Sequence, residues 1–254
     1  MGNIVVLDEL TINKIAAGEV IERPASVVKE LMENSIDAKA SKITVEVKNG
    51  GISQIRIVDN GYGMKASDLN LAFERHATSK IRHADDLETV KSMGFRGEAL
   101  ASIAAIANVE MITKVENEEI GSRIVVEAGK VLEEGEAGSQ TGTTINIKNL
   151  FFNTPVRYKF LKKDYTELGY IEDVVTRIAL AHPEIAIKLM NENKTMIQTS
   201  GDGNLKSVIY SIYGKDISEG MIEVDYTYED ITIKGVVRKA RDSSKQQVIS
   251  DVFC

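Results

Sequence analysis

Cysteine is almost missing from this chain: the only one is Cys254, the last of 254 residues. A single thiol builds neither a disulfide framework nor a thiolate metal centre. Histidine is nearly as scarce. His76, His83 and His182 have no metal-ligand spacing among them, so each reads as an ordinary surface or core histidine. Long apolar runs are missing as well. The longest, Ala99 to Ala107, is broken by Ser102 and is far too short to span a bilayer. Asp8 and Glu9 interrupt the start before an apolar core develops, so no signal peptide is read and the expectation is a soluble, cytoplasmic protein. Positive charge is in deficit, with a net charge of -7 and a pI near 5.2, which argues against coating nucleic acid through bulk charge.

The familiar nucleotide and hydrolase signatures are also absent. There is no G-x-x-x-x-G-K-[ST], no G-x-G-x-x-G after a strand, no G-x-S-x-G and no H-E-x-x-H. What remains is ordinary for a globular protein, with 43% hydrophobic and 27% charged residues, enough for one large domain or two small ones.

One helix-sized stretch, Pro24 to Ala38, organises the rest. At helical spacing Glu30, Glu33, Asn34 and Asp37 share one arc, while Val28, Leu31, Met32 and Ile36 fall on the other side. Read forward at i,i+4, Glu30 meets Asn34 and Glu33 meets Asp37, so the acids are expected to lack counter-charges and to welcome a hard, oxygen-ligated cation such as Mg2+. The plainer reading is a solvated acidic face. Upstream, Thr11 is read as the cap of a short helix through Ile15 and Ala17.

Downstream, Lys42–Val47 and Gln54–Val58 alternate as strands around an Asn49-Gly50 turn. The second strand runs into Asp59-Asn60-Gly61-Tyr62-Gly63, where the carboxylate can accept from an exocyclic amine and the glycines let a flat ring approach the main chain. A tight Asp-Asn-Gly turn would look the same. Gly94-Phe95-Arg96-Gly97 leads into a helix, Glu98–Ala107, and suits an anion, although many loop-to-helix junctions carry two glycines. Further strands are expected at 109–115, 123–127 and 143–148, with turns at Glu134-Gly135 and Gly138–Gly142. Phe151–Pro155 reads as a loop, followed by the basic cluster Arg157, Lys159, Lys162 and Lys163, a DNA contact or a plain solvated loop. A helix over 165–181, a hairpin at 185–190 and 195–199, a helix at 205–213 and strands at 222–228 and 231–237 complete an α+β reading. The loop-like 200–204 marks a boundary between domains 1–200 and 201–254.

Together the acidic helix, the Asp-x-Gly-x-Gly strand end and the Gly-x-x-Gly helix start favour a purine nucleoside triphosphate site. Asn34 offers a neutral oxygen to Mg2+, and Glu30 is placed to take the proton of a water attacking the γ-phosphate. Glu33 or Asp37 would tune that arrangement, and the sequence does not rank them. Lys80, Arg96 and the amides around Gly97 would offset phosphoryl charge, with Thr78 and Ser79 as further donors.

Six stretches, taken in order, then resemble a known family: IAAGEVIERPASVVKEL (15–31), ENSIDA (33–38), DNGYGM (59–64), RHATSK (75–80), GFRGEALASI (94–103) and FFNTPVRYKFL (151–161). They look like the GHKL ATPases, which group gyrase, heat-shock chaperones, histidine kinases and the MutL mismatch-repair proteins, and within that family the match to the MutL branch is close. The resemblance implies a Bergerat-type sandwich of mixed β-sheet and helices, followed by a second α+β domain with a ribosomal-protein-like fold. It implies Glu30 as general base, Asn34 as Mg2+ ligand, and Asp59, flanked by Gly61 and Gly63, as adenine reader with Thr143 nearby. Thr78, Ser79 and Lys80, with Gly94, Arg96, Gly97, Glu98, Ala99 and Leu100, would belong to a lid over ATP. Residues 1–20 would cross to a second copy in an ATP-dependent homodimer. Slow hydrolysis would time the passage from the mismatch-recognition protein MutS to a downstream nicking endonuclease and helicase.

After Val237 the text RKARDSSKQQVISDVFC departs from the family pattern, and Lys234, Lys239 and Lys245 cannot be assigned the lysine that the second domain contributes to the γ-phosphate. The expectation is a truncated second domain with weak or impaired hydrolysis. The alternative is a hydrolysis-deficient ATP-binding fragment acting only as an interaction module.

Overall fold

The computed structural model describes residues 5–6, 8–80, 83, 85–86 and 97–238. Gly94, Arg96, Lys239 and Lys245 therefore lie outside the described residues.

The chain opens with α1 (Glu9–Val20) and α2 (Pro24–Asp37), then the hairpin β1 (Lys42–Lys48) and β2 (Gln54–Asp59). A helix, α3 (Ala99–Ile106), leads into β3 (Asn108–Lys114), β4 (Gly121–Glu127), β5 (Lys130–Ala137) and β6 (Gly142–Lys148). Two helices, α4 (Pro155–Phe160) and α5 (Asp164–Ala181), precede β7 (Ala186–Asn191) and β8 (Lys194–Gln198). The last described elements are α6 (Leu205–Tyr213), α7 (Lys215–Ser218), β9 (Met221–Tyr228) and β10 (Ile231–Arg238).

Eight strands form one sheet in the order β5-β4-β3-β6-β2-β1-β7-β8, and β9 and β10 pair separately. Every pairing in the large sheet is antiparallel except β1 with β7, which α5 makes possible as the crossover. Alternation explains the layering. In β1, Ile43, Val45 and Val47 are buried, and Ile55, Ile57, Val109, Met111, Ile145 and Ile147 continue that face across the sheet. Helices α2, α3 and α5 cover it with Val28, Leu31, Met32, Ile103, Ile106, Ile171 and Val175. The opposite face is polar and cross-paired, with Arg56–Glu46 at 3.0 Å, Gln54 Nε2 to Asn146 Oδ1 at 2.9 Å and Arg123–Glu110 at 2.7 Å. This is the expected α+β sandwich.

Local readings are corrected in three places. Asp8, not Thr11, caps α1: its carboxylate accepts from Thr11 N at 2.9 Å and from Thr11 Oγ1 at 2.8 Å. Glu134-Gly135 lies inside β5 rather than in a turn. That edge strand is exposed at every residue but Ala137, so it carries no buried alternation to read. Between the 151–154 turn and α5 stands a short helix, α4, opened by Pro155 at its first turn. Beyond the 200–204 loop, Asn204 caps α6, and Val208 and Ile209 are buried in the same cluster as Ile197.

Candidate functional site

Helix α2 carries the polar face. Its buried side is fixed by Ala25, Val27, Val28, Leu31 and Met32. At its start Arg23 stacks over the Tyr170 ring, 4.3 Å from the centroid. Counter-charges are present, contrary to the forward i,i+4 reading. Lys29, four residues before Glu33, pairs with it at 3.1 Å and stands 4.0 Å from Glu30. Lys80 reaches across from a distant segment, donating to Asn34 Oδ1 at 3.1 Å and facing Asp37 Oδ2 at 2.5 Å. The latter contact is an ion pair rather than an aligned hydrogen bond. So Glu33 turns to Lys29 and is 7% exposed, whereas Asp37 stands beside Asn34.

The other end of the site is a cross-strand row. Register places Asp59 of β2 opposite Thr143 of β6, and Thr143 opposite Thr113 of β3. Asp59 Oδ1 accepts from Gly61 N at 2.9 Å and Thr143 N at 3.2 Å, while Ser35 Oγ of α2 donates to Asp59 Oδ2 at 2.8 Å. Thr113, fully buried, accepts from Met64 N at 2.8 Å and lies 3.1 Å from both Gly142 O and Thr143 Oγ1. It thus ties the 61–64 loop to the sheet. The glycines are needed for close approach. At Gly63, with φ +71, a Cβ would stand 2.2 Å from Lys114 O, and at Gly142, with φ +119, 2.1 Å from Asp59 O.

Burial pushes the Asp59 carboxyl above the ordinary carboxylate range, against the lowering effect of the Gly61 amide, the Ser35 hydroxyl and the Thr143 amide. The sign follows. A raised carboxyl costs folding stability when ionised, and that cost is relieved as pH falls through its folded pKa. A carboxyl-carbon NMR titration should place the Asp59 midpoint above 3.8, and Ser35→Ala, which removes one lowering donor, should move it higher still. A midpoint at or below 3.8 would contradict this.

Segment 75–80 meets the chain just before α3. His76 N donates to Gly97 O at 3.0 Å, and Glu98 Oε1 stands 3.4 Å from His76 Nδ1 and 3.9 Å from Arg75 Nη2. Gly97, with φ +64, sits so close to Ala77 that a Cβ would come within 2.4 Å of its carbonyl. Lys80 N donates to Thr78 Oγ1 at 3.2 Å. Segment 75–80 thus meets Gly97 and Glu98, which lead into α3, and reaches Asn34 and Asp37 through Lys80.

The basic cluster is divided. Lys159, Lys162 and Lys163 are exposed, but Arg157 turns inward. Its guanidinium packs on Gly18, where a Cβ would clash with Nη2, and Nη1 donates to Ile21 O at 3.3 Å. Arg157 therefore stabilises the C-terminal end of α1.

Three contributors went unread in the sequence: Ser35, Thr113 and Lys29. Ser35 and Thr113 are polar residues in otherwise apolar inward stripes, a signal that could have marked them. Among the described residues, no group of three His, Cys, Asp or Glu side chains could hold a metal ion, and no helix is long and apolar enough to cross a membrane.

A sequence profile described as histidine kinase-, DNA gyrase B- and HSP90-like ATPase matches residues 21–152. In three dimensions the chain is similar to the Aquifex aeolicus MutL ATPase domain complexed with ADP, with a TM-score of 0.68 and 32% identity over 88% of this chain and 80% of that one. The chain belongs to the MutL branch of this ATPase family. MutL of Agathobacter rectalis is 54% identical over 239 residues, 94% of this chain and 37% of the relative. MutL of Caldanaerobacter subterraneus is 52% identical over the same length, 94% of this chain and 40% of the relative. The chain thus spans about two fifths of the curated MutL proteins that it matches.

Proposed function

We propose that this chain binds ATP with Mg2+, hydrolyses it slowly, and uses the resulting conformational change in DNA mismatch repair. The observation that carries the reading is that one helix serves both ends of the site, through Asn34 to Lys80 and through Ser35 to Asp59. Asp59 would accept from the exocyclic amine of adenine, with Gly61 and Gly63 leaving room for the ring and Thr143 flanking it. The donor set fits Mg2+: Asn34 contributes a neutral amide oxygen beside a carboxylate, and a cation already stands on both. Asn34 would hold the ion, whose charge would offset that of the phosphoryl oxygens. Glu30 would take the proton of a water whose oxygen bonds to the γ-phosphorus as the bridging oxygen leaves with ADP. Lys80, Thr78, Ser79 and the amides of Gly97 to Leu100, with Gly94 and Arg96, would contact the phosphates as a lid.

ITC with Mg-ATP tests this reading. Wild type should bind, and Asn34→Ala should weaken binding about tenfold or more, with most of the difference disappearing when ADP is titrated in EDTA. Binding that ignores Asn34 under both conditions would defeat the assignment. Binding without turnover would support the second reading, an ATP-regulated interaction module. Lys234, which pairs with Asp225 at 3.4 Å on the small sheet, is one reason to keep it.

The wider roles follow from the same reading. Residues 1–20 would bridge to a second copy when ATP is bound, and the dimer would act in the cytoplasm between MutS and a nicking endonuclease and helicase. The ATP-binding unit would end near residue 200, with α6 as the link to the second unit. DNA would be contacted by Lys159, Lys162 and Lys163 but not by Arg157. Changing those three lysines to glutamate should weaken duplex DNA binding and flatten its salt dependence by about two to three units of slope. An unchanged slope would remove DNA from this surface.

A further inference from the structure

We propose that Lys80 is a resident stand-in for the divalent cation: without nucleotide, its ammonium occupies the cation position on the polar face of α2. The inference rests on the reading of Asn34 as a Mg2+ ligand. An ammonium has three donors and no acceptor, and here it is set against an amide oxygen at 3.1 Å and a carboxylate oxygen at 2.5 Å. That is the hard-oxygen pair a small divalent ion would take. Both charged side chains are about four fifths buried, at 18% and 21% exposure. Asp37 Oδ2 is buried and has no aligned hydrogen bond, so the Lys80 charge is what balances it. Glu33 is already matched by Lys29, which leaves the Asn34–Asp37 pair to Lys80.

The arrangement gives Lys80 two successive positions. Before nucleotide arrives it neutralises Asp37 and holds the 75–80 segment against α2, braced by Thr78 and by the His76–Gly97 contact. When Mg2+ enters with the triphosphate, Lys80 yields Asn34 Oδ1 and turns to the phosphoryl oxygens. The helix face thus keeps a cation throughout. Segment 75–80 is released from α2 in the same exchange that loads the metal.

Manganese chloride titrated into the nucleotide-free 254-residue chain, followed by EPR of free Mn2+ and by melting, tests this. Wild type and Lys80→Arg should take up little Mn2+ at this site. Lys80→Met should melt about 5 °C lower. It should recover with added Mn2+ and bind it about tenfold or more tighter than wild type. Lys80→Gln gives a second neutral variant should the methionine fold poorly, and Lys80→Met combined with Asp37→Asn should lose the new binding. Neutral variants that bind Mn2+ no tighter than wild type would overturn the proposal. Because no nucleotide is present, a wild type that fails to bind Mg-ATP would count against the ATPase reading and leave this result to stand.

Discussion

A Glu30→Ala chain is expected to bind ATP within about twofold of wild type and to turn it over about 10²–10⁴-fold more slowly. Two features make the separation sharp. Glu30 lies on the arc that carries Asn34, one helical turn away, with its side chain 28% exposed and therefore reachable by water. Its near cation, Lys29, stands 4.0 Å off, is itself half exposed, and leans more closely on Glu33. An exposed contact of that length adds little of its own. The proposed binding determinants, Asp59 at one end and Lys80 with the α3 N-terminus at the other, do not include Glu30. Glu30→Gln keeps the shape and removes only the basicity, so it should lose turnover nearly as severely. Phosphate release under single-turnover conditions, with affinity measured separately, checks both variants. Equal turnover in wild type and Glu30→Gln would move the proton elsewhere or leave the chain a binding module.

The second large effect belongs to Asp59. Asp59→Asn should weaken adenine-nucleotide binding about 30–100-fold or more while the chain melts at or above the wild-type temperature. The amide is the same size and keeps an oxygen for the Gly61 and Thr143 amides, and Ser35 Oγ can accept from the new NH2. It also removes a charge that burial disfavours. What it loses is an acceptor at the position where a base amine would donate: two NH2 groups then face one another. Titration of ADP, which leaves hydrolysis aside, combined with calorimetric melting measures both halves. A variant that unfolds would show that the carboxylate is structural first, and one that binds ADP normally would remove Asp59 from base recognition.

Much of this was legible in the sequence because the signals are periodic or local. The α2 stripe, the alternation of β1 and β2, and Asp59 at a strand end followed by two glycines all recur in the structure within a residue or two. What was illegible depended on distance along the chain or on exposure. Lys80 meets Asp37 only because segment 75–80 folds back over α2, and no spacing rule links positions so far apart. The family resemblance implied Thr143 near Asp59, but Thr113 joins them only when β3 and β2 flank β6. Arg157 read as part of a basic cluster, yet Gly18, a small residue in a helix interior, holds the space for its guanidinium. Edge strand β5 lacked a signature because a strand with little to bury needs no alternation.

The row Asp59–Thr143–Thr113 has one more consequence. It crosses three adjacent strands in the middle of the large sheet, and its hydroxyl and amide contacts are shared with the ladder itself. The proposed base end is therefore tied to strand-to-strand pairing, while the opposite end is joined, among the described residues, through Lys80 and a few loop contacts. One half of the proposed site is built into the sheet and the other rests on side-chain and loop contacts. A ligand entering base first would find a fixed socket, then spend its remaining binding energy shaping the rest.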